Sequence, residues 1–204
     1  MSTGQDNAAA DAPPADWLSP IRTALLWALT VEVAVLVVTG VALFFIYRPS
    51  YDGGWQQVFG GAPGDSSFPD VVRWLHRWAS AVAVPTALAF GVLLVVDAWT
   101  AARKWRAASG IAAGLSLSVM AASASGFLLP WDQLALWAVK VGTNMRGYRP
   151  MFGEDVRFVL IGGVEVTTGT VVRWLLVHML VLGPAVVALV TVAWRRVCRA
   201  RPLG

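Results

Sequence analysis

Long apolar stretches separated by short polar clusters dominate the chain. Four of them run roughly from Arg22 to Tyr47, Val72 to Trp99, Ala108 to Leu129 and Val171 to Trp194. Each holds at least about 20 mostly apolar residues, enough to cross roughly 30 Å of hydrocarbon. In lipid no water satisfies the backbone, so these spans, A to D, must be helices. The pattern predicts an all-α membrane protein, a bundle of four transmembrane helices forming one domain over 20–197. Residues 1–19, rich in Ala, Pro and Asp, read as a disordered tail rather than a signal peptide, because no basic start precedes an apolar run. Residues 198–204 read as a basic cytoplasmic tail.

The connections differ in kind. Loop A–B, Arg48 to Asp70, is rich in Gly, Pro and Asp. Loop B–C is short and basic, with Arg103, Lys104 and Arg106. Loop C–D, Pro130 to Thr170, is long and carries aromatic and apolar segments. Basic residues return after span D as Arg195, Arg196, Arg199 and Arg201. With four spans, loop B–C and both termini share a side. That side has the densest short-loop Arg and Lys, which predicts that it is cytoplasmic and that loops A–B and C–D face outward. Lys140, Arg146, Arg149 and Arg157 in loop C–D run against this, but long loops count for less.

Composition agrees with a chain in lipid: 57% of its 204 residues are apolar and 14% charged. The net charge of +4 lies beside apolar segments, so it reads as membrane orientation and not as nucleic-acid binding. Lys104 and Lys140 are the only lysines, and with abundant Ala, Val and Gly this points to a GC-rich bacterial genome and hence to a bacterial plasma membrane. The single cysteine, Cys198, excludes a disulfide framework, and no C-x-x-C-H offers c-type haem attachment.

Only two histidines exist, His76 on span B and His178 on span D. His76 follows Arg73 by three residues and His178 follows Arg173 by five. Both spans run inward from the outer side, which sets the imidazoles about 5 and 8 Å below their arginines. Two imidazoles at one depth on two helices can ligate a haem iron from opposite faces. Arg73, Arg77 and Arg173 are placed to neutralise its propionates. The plainer alternative has each histidine hydrogen-bonding a neighbouring helix.

Several stretches together resemble the cytochrome b family, in particular the N-terminal four-helix half as found in cytochrome b6. They are Thr-Gly-Val-Ala-Leu-Phe-Phe-Ile-Tyr-Arg-Pro (39–49), Leu-His-Arg-Trp-Ala-Ser-Ala (75–81), Ser-Gly-Phe-Leu-Leu-Pro-Trp-Asp-Gln-Leu-Ala-Leu-Trp-Ala-Val-Lys (125–140), Gly-Gly-Val-Glu-Val-Thr-Thr-Gly (162–169) and Arg-Trp-Leu-Leu-Val-His (173–178). The resemblance implies a bundle of that type with short helices in loop C–D. It also implies two stacked haems, each of helices B and D supplying two histidines 14 or 15 residues apart. Here Phe90 stands fourteen after His76, and Val192 and Ala193 stand fourteen and fifteen after His178. The family's paired glycines, which let a flat porphyrin approach helices A and C, survive on the outer side as Gly40 and Gly126. Leu26 and Ala112 stand where the inner pair would be. The expectation is one haem b, with Phe90, Val192, Leu26 and Ala112 filling the inner site. Ala24 stands where cytochrome b6 attaches a further haem through cysteine, so no covalently attached haem is expected.

By the same resemblance the retained haem is the low-potential one near the outer face, an acceptor of electrons from quinol. The segment around Trp131 to Asn144 resembles the wall of the quinol site, which makes Trp131, Asp132, Trp137 and Lys140 quinone-site candidates. The family's Pro-Glu-Trp-Tyr segment lies in its C-terminal half, so a C-terminal cytochrome b half and a Rieske or other redox subunit are expected as partners, besides lipid and quinol. Activity would then belong to a complex in which this chain is a non-autonomous subunit. Rival readings are a haem-bearing membrane anchor between quinone and another redox partner, and a haem-free structural subunit. Of the two remaining acids, Glu32 lies mid-span, where proton access or a helix-to-helix hydrogen bond are the options. Asp97 lies near enough to the interface to be solvated.

Overall fold

A computed structural model of the chain describes residues 18–50, 68–100, 105–144 and 166–200. Its elements are α1 (Leu18–Ile46), α2 (Phe68–Thr100), α3 (Trp105–Leu128), α4 (Gln133–Asn144), α5 (Thr168–Leu176), a π-helical turn (Val177–Leu182) and α6 (Gly183–Ala200). No strand occurs among the described residues. Four helical rods are long and apolar enough to cross a membrane: α1, α2, α3 and the continuous run from Thr168 to Cys198. They correspond to spans A to D, each starting three or four residues before its apolar core.

Two expected boundaries move. Residues 18 and 19 belong to α1 rather than to a disordered tail, and α6 runs on to Ala200, three residues into the expected basic tail. Both helices extend past their apolar stretch because the backbone still gains its i→i−4 bonds there. Residues 1–17, most of loop A–B, Arg103 and Lys104, 145–165 and 201–204 lie outside the described residues. Of the short helices expected in loop C–D, α4 is described.

The rods form a closed ring: α1 packs on α2, α2 on α3, α3 on the π turn and α6, and α6 back on α1. Buried apolar side chains fill the half of the bundle near the termini. Leu26, Leu29, Phe90, Leu94, Leu115, Val186, Val190 and Ala193 belong to this core. Phe90 and Leu26 are fully buried and Ala112 nearly so. Gly91 lets α3 come close, since a Cβ there would lie 3.4 Å from that of Ala112. Val192, expected to share in filling this space, is instead 41% exposed, and Ala193 takes the inward place. The π turn is the cause. Fourteen residues of regular helix close nearly four turns at 3.6 per turn. The wider turn absorbs one residue more, so the position in phase with His178 is the fifteenth.

Candidate haem-ligand site

At the other end of the bundle the two histidines meet. His76 comes from the first third of α2 and His178 from the π turn, and their ring centroids lie 6.3 Å apart with planes inclined by 65°. Each is only partly exposed and faces the bundle interior. Each also touches the rod that precedes its own in the chain. His76 lies against α1, where Thr39 Oγ1 is 2.8 Å from His76 Nδ1. His178 lies against α3, where Ser125 Oγ is 2.9 Å from His178 Nδ1.

The residue after each hydroxyl is a glycine with a steric reason. A Cβ on Gly40 would lie 3.4 Å from His76 Cε1, and one on Gly126 only 3.1 Å from His178 Cε1. Both glycines therefore leave room for the imidazoles at the helix backbone. Ser80, one turn below His76 on α2, hydrogen-bonds Ser123 on α3 at 3.1 Å and ties these rods just inside the site.

The arginines divide. Arg73 is ion-paired with Asp70 one turn back on α2. Arg77 and Arg173 are exposed at the same end of the bundle. The quinone-site candidates fall at the α3–α4 corner. Trp131 is buried against Ala135, Val171 and Tyr47, with φ of 48°, a left-handed conformation uncommon for so bulky a residue. Its indole N–H is buried without a hydrogen-bond partner. Tyr47 donates to the Leu129 carbonyl at 2.5 Å, pinning the corner to the end of α1. Asp132 caps α4, its Oδ1 accepting from the Ala135 N–H at 2.8 Å. Trp137 is exposed on α4, and of Lys140 only the backbone is described.

Three groups have partners that the sequence did not disclose. Asp97 is not solvated: it pairs with Arg22 across α1 and α2 at 2.5 Å, with exposures of 16% and 4%. Glu32 Oε1 accepts from Thr86 Oγ1 at 3.0 Å, while its Oε2 is buried without a partner. Thr39 and Ser125 are the further case. A hydroxyl–glycine dipeptide stands at both places, Thr39–Gly40 and Ser125–Gly126, but Ser109–Gly110 and Thr168–Gly169 repeat it away from the site, so the dipeptide alone did not mark them.

Known proteins share this architecture. Cytochrome b6 of Porphyra purpurea is 31% identical over 154 residues, covering 74% of this chain and 70% of that protein. The menaquinol:cytochrome c reductase cytochrome b subunit of Geobacillus thermodenitrificans is 29% identical, covering 79% and 72%. A solved chain of a hyperthermophilic respiratory Complex III superposes with a TM-score of 0.73 at 21% identity, over 90% of this chain, which spans about half (48%) of that one. The likeness at that identity is one of fold. The family model described as cytochrome b/b6/petB matches residues 21–198. The chain, a multi-pass membrane protein, thus belongs to the cytochrome b family.

Proposed function

We propose that this chain is an electron-transfer subunit of a quinol-oxidising membrane complex and holds one b-type haem between His76 and His178. The carrying observation is the 6.3 Å between the two ring centroids. Metal–imidazole bonds of about 2 Å place a metal roughly 3 Å from each ring centre, hence roughly 6 Å between two rings that share it. The family implies a b-type haem with iron, and the donor set here fits one. Among the described residues no group of three or more His, Cys, Asp or Glu could hold a metal by itself. Two imidazoles alone make a poor cage, but they complete an iron whose other four ligands come from a porphyrin. A bound haem would supply one-electron storage at its iron.

The single-haem reading is supported by the inner half of the bundle. Phe90, Leu26 and Ala193 occupy it as packed side chains, and no other histidine exists. Gly40 and Gly126 leave room for the ligand rings, and Arg77 and Arg173 supply positive charge at the outer end for propionates. For quinol, the support is the likeness to the Geobacillus cytochrome b subunit of a menaquinol:cytochrome c reductase, together with the buried and unpartnered Trp131 N–H. Trp131 and Asp132 shape that corner, and Trp137 and Lys140 extend it along α4. A C-terminal cytochrome b half and a Rieske or other redox subunit would complete the complex. Arg106, Arg195 and Arg196 mark the end carrying the termini, which we assign to the cytoplasm of a bacterial plasma membrane.

The test is a reduced-minus-oxidised spectrum of the purified protein with haem quantification and redox titration. One b-type α-band, one haem per chain and one wave are expected, all lost in His76→Ala and His178→Ala. Two waves would sink the single-haem reading. No band in the wild type would leave a structural subunit instead.

A further inference from the structure

We propose that Thr39 and Ser125 are positioning residues that lock His76 and His178 as Nδ1–H tautomers and thereby hold down the potential of the iron they ligate. The proposal rests on the haem reading above.

A hydroxyl has one hydrogen and two lone pairs. Thr39 Oγ1 lies 2.6 Å from the carbonyl oxygen of Val35, one turn back on α1. A carbonyl oxygen only accepts, so the hydroxyl hydrogen points there. Toward His76 Nδ1, 2.8 Å away, Thr39 then presents a lone pair. The ring nitrogen must supply the hydrogen of that bond. The reverse arrangement would leave two oxygen lone pairs facing each other across 2.6 Å. Ser125 repeats the device, with its Oγ 3.0 Å from the Ala122 carbonyl and 2.9 Å from His178 Nδ1. Both residues are buried, at 6% and 2% exposure, so no bulk water competes for either bond.

Two consequences follow. With Nδ1 protonated, each neutral ring carries its free lone pair on Nε2, a form in which imidazole binds metal. An Nδ1–H that donates to a fixed acceptor also makes its ring a more basic ligand. A more basic ligand favours the oxidised metal, and hydrogen bonding to axial ligands is one of the levers on a haem potential. Because the two bonds act on opposite ligands of one iron, their effects should add.

The experiment uses the haem-loaded protein: redox titration and low-spin EPR of wild type, Thr39→Val, Thr39→Ser, Ser125→Ala and the double variant Thr39→Val/Ser125→Ala. At fixed ambient potential the ferrous-to-ferric ratio should rise about threefold in Thr39→Val and in Ser125→Ala, given the modest worth of one hydrogen bond. In the double variant it should rise about tenfold, which for one electron is a shift of about +59 mV. Thr39→Ser, which keeps the hydroxyl, should stay with the wild type in potential and g values. A double variant with the wild-type potential overturns the proposal, as does Thr39→Ser shifting like Thr39→Val. Should Thr39→Val lose its haem, Ser125→Ala carries the test by itself: its threefold shift supports the proposal, and a wild-type potential there overturns it. A wild type with no haem band is a different failure, which removes the haem reading and this proposal with it.

Discussion

At Gly126 a single methyl group would sit 3.1 Å from His178 Cε1, closer than side chains ordinarily tolerate. The ring cannot yield freely, because its Nδ1 is held by Ser125 on the same helix. At Gly40 the same methyl would lie 3.4 Å from His76 Cε1, near ordinary contact. Overpacking a tight site costs about 1–3 kcal/mol. Gly126→Ala is therefore expected to lower haem retention roughly tenfold, measured by haem loss to an acceptor protein, and Gly40→Ala by clearly less. The opposite order would show that the glycines serve something other than the ligand rings. Both glycines were legible in the sequence as a close approach, but the ligand rings that lie against them were not. That depends on the rotation of α2 and of the π turn about their own axes.

The element that sets the phase of α6 in the apolar half of the bundle is the π turn. The Gly183 N–H reaches the His178 carbonyl, five residues back, where a regular helix would use Leu182. Pro184 follows at once and has no N–H to give, so the regular ladder is interrupted here in any case. One surplus residue is stored in this turn, and so removing one should be harmless only here. Deletion of Leu180, an exposed residue of the turn, is expected to restore a regular helix with His178 and Ala193 still on one face. Deletion of Val187 in α6 has no such reserve and turns Val190, Ala193 and Val197 about 100° out of the core. Thermal unfolding in detergent and haem content should remain near wild type in the first and collapse in the second. Equal damage from both deletions would refute the stored-residue account.

Across the whole molecule, the two ends of the bundle are built from different materials. The histidine end is polar where the rods meet: Thr39 with His76, Ser125 with His178 and Ser80 with Ser123. The opposite half carries the large apolar core, crossed by hydrogen bonds from Thr86 to Glu32 and from Trp194 to Thr30 and by a buried ion pair that joins residue 22 to residue 97. Breaking such a pair strands a charge, whereas replacing both partners with apolar groups is often close to neutral. Arg22→Met and Asp97→Leu alone are each expected to destabilise the protein by up to about 3–5 kcal/mol, and the double variant Arg22→Met/Asp97→Leu by much less. A double variant no more stable than the weaker single one would argue against a stranded charge. The haem band should survive in all three that fold, because the pair sits at the end of the bundle remote from the histidines.

The four spans, their order and the similar depth of the two histidines all follow from the chain itself. Each depends on what lies within a turn or two of one residue, or on the cost of a polar group in lipid. The tertiary structure decided what depends on the rotation of one rod against another. It chose Ala193 over Val192, paired Asp97 with Arg22, and gave the imidazoles their hydroxyl partners 37 and 53 residues away. Apolar periodicity says that a helix crosses the membrane and roughly which stripe faces inward. It does not set the phase to within one residue. A single residue is 100° of helix, enough to carry a side chain out of a site.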